Sequence, residues 1–151
     1  MTETGEITVS VARAGVRELE AICDVDALVL GRRERQQYLA EAVRAGHAWV
    51  ARASGTVAGF AVFAPSFFGQ WFVELLIVHP EYRRQGVATV LVKQCEANCP
   101  ADKLFTSTNE SNTPMRLLLA KLGYSRSGQI ENLDEGDPEL IFVKQLIKRP
   151  E

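Results

Sequence analysis

Residues 74–92, ELLIVHPEYRRQGVATVLV, constrain this chain more than any other stretch. Apolar residues run to Pro80 as a strand. A basic turn follows, Arg83-Arg84-Gln85-Gly86, and a helix opens directly behind it. Residues 104–108 are again rich in β-formers, so the region reads as a strand–helix–strand crossover. Such a crossover joins parallel strands, which requires a sheet with at least one parallel pair. The junction also has a chemistry. Unbonded N–H groups at a helix start, with the positive end of the helix dipole, hold anions such as phosphate. Gly86 tolerates the left-handed backbone that close approach needs, and arginines match phosphate oxygens bidentately. Alone, the same run also fits a solvated helix start. It is not a Walker loop, lacking the Gly-Lys-Ser/Thr spacing, nor a dinucleotide Gly-x-Gly-x-x-Gly.

The 151 residues suit one domain, residues 1–151, with a full core. With 46% apolar and 24% charged residues, the chain reads as globular. A formal charge of −2 gives no basic footprint and argues against a nucleic-acid partner. No apolar run approaches the ~20 residues of a membrane span, and the first residues, MTETGEITVS, lack a signal-peptide pattern. A cytoplasmic location is expected. Cys23, Cys95 and Cys99 are odd in number and do not form a secreted disulfide framework. They read as reduced packing residues. With His47 and His79 as the two histidines, no metal-ligand set is expected.

Strands are expected over residues 7–13, 47–53, 57–64, 71–78, 104–108, 124–129 and 140–146, and helices over 16–29, 35–45, 87–98 and 113–122. Residues 65–70 read as a loop carrying Phe67 and Phe68, and the Arg32-Arg33-Glu34-Arg35 run as a solvated helix start. The resulting order predicts an α/β (α+β) architecture, a mixed sheet with helices on both faces.

Two blocks carry a family resemblance. Arg83-Arg84-Gln85-Gly86-Val87-Ala88, preceded by Val-His-Pro-Glu-Tyr at residues 78–82, fits an Arg/Gln-x-x-Gly-x-Gly/Ala pattern. Asn109-Glu110-Ser111-Asn112, then Lys121-Leu122-Gly123-Tyr124, follows at the expected distance. With this element order the chain resembles the GNAT superfamily of acyl-CoA-dependent N-acetyltransferases. It is most similar to small bacterial members carrying STNESN and ENLDEGDPE, here residues 107–112 and 131–139.

The resemblance implies a mostly antiparallel sheet with a splayed fourth and fifth strand, acetyl-CoA as cosubstrate lying in that splay, and no metal. The backbone of Arg84, Gln85, Gly86, Val87, Ala88 and Thr89 would cradle the pyrophosphate, with Arg83 and Arg84 beside it. Leu76, Ile77 and Val78 would meet the pantetheine arm, and Asn112 would hold it. Many members are dimers, so a homodimer is an open expectation.

Acetylation consumes a neutral amine. An alkylammonium has a pKa near ~10.4, so its neutral form costs roughly 4–5 kcal/mol at pH 7, and a base must take the proton. Glu74 is the candidate. Strand alternation sets it on one face with Phe72, Leu76 and Val78, where apolar neighbours would partly desolvate it. A carboxylate held by water or a nearby arginine is the plainer reading. The departing thiolate needs a proton too. Many members supply it from a tyrosine where this chain has Leu119, so Tyr124 and Ser107 are the remaining candidates, with Thr108 or a water behind them. Tyr124 also fits a packing role. The acidic residues of 131–139 would form a rim attracting a cationic acceptor, or simply a solvated turn. The expected reaction is acetyl transfer to a small cationic primary amine in a ternary complex. A protein or aminoacyl-tRNA acceptor, or an acyl-CoA-binding module without turnover, is the alternative.

Overall fold

The computed structural model describes residues 8–146. Its contacts sort the chain into two compact units. The first takes the chain to Val62 and adds Leu75–Gln94; the second is Phe63–Glu74 and Cys95 onward.

Seven strands are hydrogen-bonded in the order β1-β2-β3-β4-β5-β7-β6: β1 Val9–Arg13, β2 Ala48–Ala53, β3 Thr56–Phe67, β4 Gln70–Val78, β5 Lys103–Asn109, β6 Ser125–Ile130 and β7 Glu139–Gln145. β4 and β5 pair in parallel, as the crossover requires, while β1–β2, β2–β3, β5–β7 and β6–β7 are antiparallel. The α-helices are α1 Leu19–Leu30, α2 Gln36–Arg44, α3 Val87–Asn98 and α4 Thr113–Lys121. This is the mixed, mostly antiparallel α/β sheet expected. None of the described helices is long and apolar enough to cross a membrane.

Several boundaries differ from the sequence reading. Ile7 lies outside the described residues. The first helix does not start at Val16: residues Val16–Glu18 form a 3-10 turn, and Glu18 folds back to accept the Gly15 N–H at 2.8 Å. The expected loop at 65–70 is mostly strand. β3 runs through Pro65 to Phe67, and only Phe68 and Gly69 turn, with φ of 51° and 75°. Nor is the Arg32–Arg35 run merely solvated. Arg33 bridges Asp24 and Glu20 of α1 at 2.6 and 2.8 Å. Arg35 makes two bonds, 3.1 and 2.6 Å, to Asp26, whose side chain is buried. A buried carboxylate needs such a partner, so this pair ties α1 to the start of α2.

In the first unit Ile22, Leu39, Val50, Phe60 and Val62 form a buried cluster, with Leu75 and Ile77 of β4 packed on it. In the second, Leu104, Leu119, Leu140 and Phe142 are buried. Cys23 and Cys95 are buried free thiols. Burial pushes the Cys95 thiol up to about 12, which leaves it a packing group and not a nucleophile.

Candidate active site

In the first unit, β4 leads into the basic turn through a 3-10 turn, Pro80–Tyr82. His79 shapes it. Its N–H reaches Ala58 O at 2.8 Å, and its Nδ1 accepts the Glu81 N–H at 3.0 Å. That makes His79 a capping residue, as a lone histidine before a proline commonly is. Arg83 is extended, then Arg84 and Gly86 both take left-handed backbone, with φ of 63° and 83°. Left-handed residues in a basic turn are a backbone form that can present N–H groups to an anion. The Val90 N–H bonds Gly86 O at 3.0 Å, so the N–H groups of Val87, Ala88 and Thr89 precede the helical ladder. Arg83, Arg84, Gln85 and Gly86 are exposed, and Val87 anchors the turn in the core. The residues present therefore suit a pyrophosphate.

Close packing puts this turn where it is. A Cβ on Gly59 of β3 would lie 2.7 Å from Ile77 O and 3.0 Å from Val87 Cγ1. Only glycine lets β3, β4 and α3 approach so closely. Sequence reasoning passed over Gly59, which there is simply one more residue of an apolar strand.

The second unit holds the candidate proton carriers. Glu74 is half-buried, and its carboxylate accepts the Ser66 Oγ–H at 2.5 Å. Ser66 was not foreseen; it becomes visible only once the β3–β4 turn is placed at Phe68-Gly69. Ser107 Oγ donates to Glu139 at 2.7 Å. Tyr124 is buried, and its hydroxyl donates at 2.8 Å to Glu96, which also pairs with Lys144 at 3.0 Å. Burial, with the Glu96 carboxylate beside it, pushes the Tyr124 phenol well above its ordinary range. Such a group holds its proton. Leu119 is fully buried in α4.

β4 and β5 pair at Phe72 with Phe105 and at Val73 with Thr106. β4 runs on to Val78 and β5 to Asn109 beyond that short ladder. Asn112 caps α4, its Oδ1 accepting the Met115 N–H at 3.2 Å.

The two motifs at 107–112 and 131–139 form one clasp. Asp137 accepts from both the N–H and the hydroxyl of Ser111, at 3.0 and 2.6 Å. Asn109 donates to Asp134 at 2.9 Å, and the Glu110 N–H bonds Pro138 O at 2.9 Å. These carboxylates take neutral donors, and their hydrogen bonds order the segment leading to Asn112.

Residues 14–124 match the model of the Acetyltransferase (GNAT) family. The chain belongs to the GNAT family of acetyltransferases, whose members use acetyl-CoA. It is similar to an acetyltransferase of that family from Bacillus cereus ATCC 10987. The two share 35% identity and a TM-score of 0.90, over 93% of this chain and 99% of that one. The same fold recurs in the ribosomal-protein-S18-alanine N-acetyltransferase of Escherichia coli, at 15% identity and a TM-score of 0.82, over 95% and 97% of the two chains. It recurs also in yncA of Salmonella typhimurium, solved with its cofactor acetyl-CoA, at 19% identity and a TM-score of 0.73, over 93% and 95%. No match to a curated protein was found.

Proposed function

We propose that the protein transfers the acetyl group of acetyl-CoA to the nitrogen of a small primary amine that is cationic at neutral pH. The observation that carries this reading is the pair of left-handed residues, Arg84 and Gly86, heading α3. They stand in a turn with two exposed arginines, directly before the first turn of the helix.

In this reading acetyl-CoA supplies the activated acetyl group. The N–H groups from Arg84 to Thr89 bind its pyrophosphate, Arg83 and Arg84 add charge, and the backbone of Leu76, Ile77 and Val78 meets its arm. Glu74 takes a proton from the incoming ammonium. The neutral nitrogen forms the new C–N bond as the C–S bond breaks. The second nitrogen proton ends on the thiolate, giving an N-acetyl amine and a free thiol. Ser107 or water passes that last proton. Tyr124 is a packing residue here, because its hydroxyl is committed to Glu96. A cytoplasmic setting goes with this reading.

Mass-spectrometric detection of acetyl transfer to spermidine, aminoglycosides, amino acids and a basic peptide tests the activity. Arg83→Ala with Arg84→Ala is expected to weaken acetyl-CoA binding roughly tenfold or more in calorimetry and to flatten its salt dependence. Unchanged affinity would remove the turn from the cofactor site.

Leu119 favours a second reading, an acyl-CoA-binding module without turnover. Acetyl-CoA binding with no product from any acceptor class would select it.

A further inference from the structure

The chain makes one kind of tight turn twice. β2 and β3 meet at Ser54-Gly55, with φ of 52° and 77°; β3 and β4 meet at Phe68-Gly69, with φ of 51° and 75°. Both central positions of such a turn need left-handed backbone, which Gly, Asn and Asp supply cheaply and a bulky ring does not. The first hairpin uses a serine there. The second uses a phenylalanine that is 90% exposed. Phe68 thus holds a strained backbone and recovers little by burial, a combination that marks functional sites.

Its neighbours make sense of it. Phe67 stacks on Phe72 at 4.9 Å, meets Phe105 at 5.5 Å and takes Phe68 edge-on at 5.0 Å. Phe67, Phe72 and Phe105 are only half-buried. Phe72 and Glu74 are two residues apart on β4 and so share a strand face, and Ser66, beside Phe67, donates to Glu74. At the other end, Lys103 precedes Phe105 by two residues on β5, its Nζ 5.9 Å from that ring. Because β4 and β5 are parallel, Glu74 and Lys103 flank the aromatic patch from opposite ends. A molecule laid across it meets an anion, then rings, then a cation. An ammonium is welcome at the first end and repelled at the second.

We infer that the β3–β4 hairpin tip selects the acceptor, a primary amine carrying an aromatic or bulky apolar body rather than a polyamine. Its nitrogen sits at Glu74 and its body lies across Phe67, Phe68 and Phe72. This rests on the acetyltransferase reading with Glu74 as base.

The test compares phenethylamine with spermidine in the acetyl-transfer assay, for wild type, Phe68→Asn and Phe67→Ala. It adds calorimetric binding of phenethylamine in the presence of CoA. Wild type is expected to favour phenethylamine in kcat/KM by roughly tenfold or more. Phe68→Asn is expected to lower that value about fivefold and to leave the acetyl-CoA KM unchanged. It should raise Tm by about 2–4 °C, since Asn suits the turn. Phe67→Ala is expected to lower both kcat/KM and Tm. Equal or better use of spermidine by wild type overturns the inference, as does a Phe68→Asn enzyme that gains stability with kcat/KM unchanged. If no amine is acetylated but phenethylamine binds wild type and not Phe68→Asn, the enzyme reading falls and the amine site stands. Absence of that binding, with no turnover, overturns the site as well.

Discussion

Glu74→Gln is expected to lower kcat roughly 10²–10⁴-fold at pH 7 while acetyl-CoA binds as before. The substitution keeps shape and keeps an oxygen to accept the Ser66 hydroxyl; it removes only the basic site. Without that site the enzyme depends on amine already neutral in solution. That fraction grows about tenfold per pH unit below the ammonium pKa of ~10.4. The variant's kcat/KM therefore climbs steeply between pH 7 and 10, and its deficit against wild type narrows. The measurement is a pair of pH–rate profiles, with calorimetry confirming cofactor affinity. Superimposable profiles would take Glu74 out of the mechanism.

Gly59→Ala is expected to carry the largest structural effect of a single methyl group. The new Cβ would stand 2.7 Å from Ile77 O, 3.0 Å from Val87 Cγ1 and 3.4 Å from Leu91 Cδ1. The nearest of these is backbone and cannot rotate away. Overpacking of this kind costs about 1–3 kcal/mol, or a fall in Tm of about 2–12 °C for a chain of this length. Ile77 and Val87 bracket the basic turn, so acetyl-CoA affinity should fall with it. Gly128→Ala is the control. No atom lies within 4 Å of its added Cβ and its φ is not positive, so its Tm should stay put. A Gly59→Ala protein melting with wild type would show that β3 and β4 have slack there.

Local rules made much of this fold legible. α3 occupies residues 87–98 as expected, because Gly86 punctuates the chain just before it and Pro100 just after it. The turn from Arg83 to Gly86 was legible for the same reason, being a continuous run of neighbours. Pro65 misled. It lacks a donor and looks like a strand stop, yet β3 continues to Phe67 because Phe68 accepts a backbone that few aromatic residues take. What lay beyond reach depends on segments far apart in the chain. Ser66 meets Glu74 only after the turn is located, and Arg35 meets Asp26 across nine positions. Tyr124 meets Glu96 across 28. A residue's type shows that it can donate or accept; only the fold shows to whom.

The clasp between residues 107–112 and 131–139 has a consequence for redesign and for divergence. Asp137 receives two hydrogen bonds from one serine, and Asp134 receives another from Asn109. A chimera that imports one segment without the other leaves charged oxygens facing the wrong donors, so neither half is a portable module. Changes on one side should drift in step with changes on the other, and a loop graft must carry both pieces as one cassette.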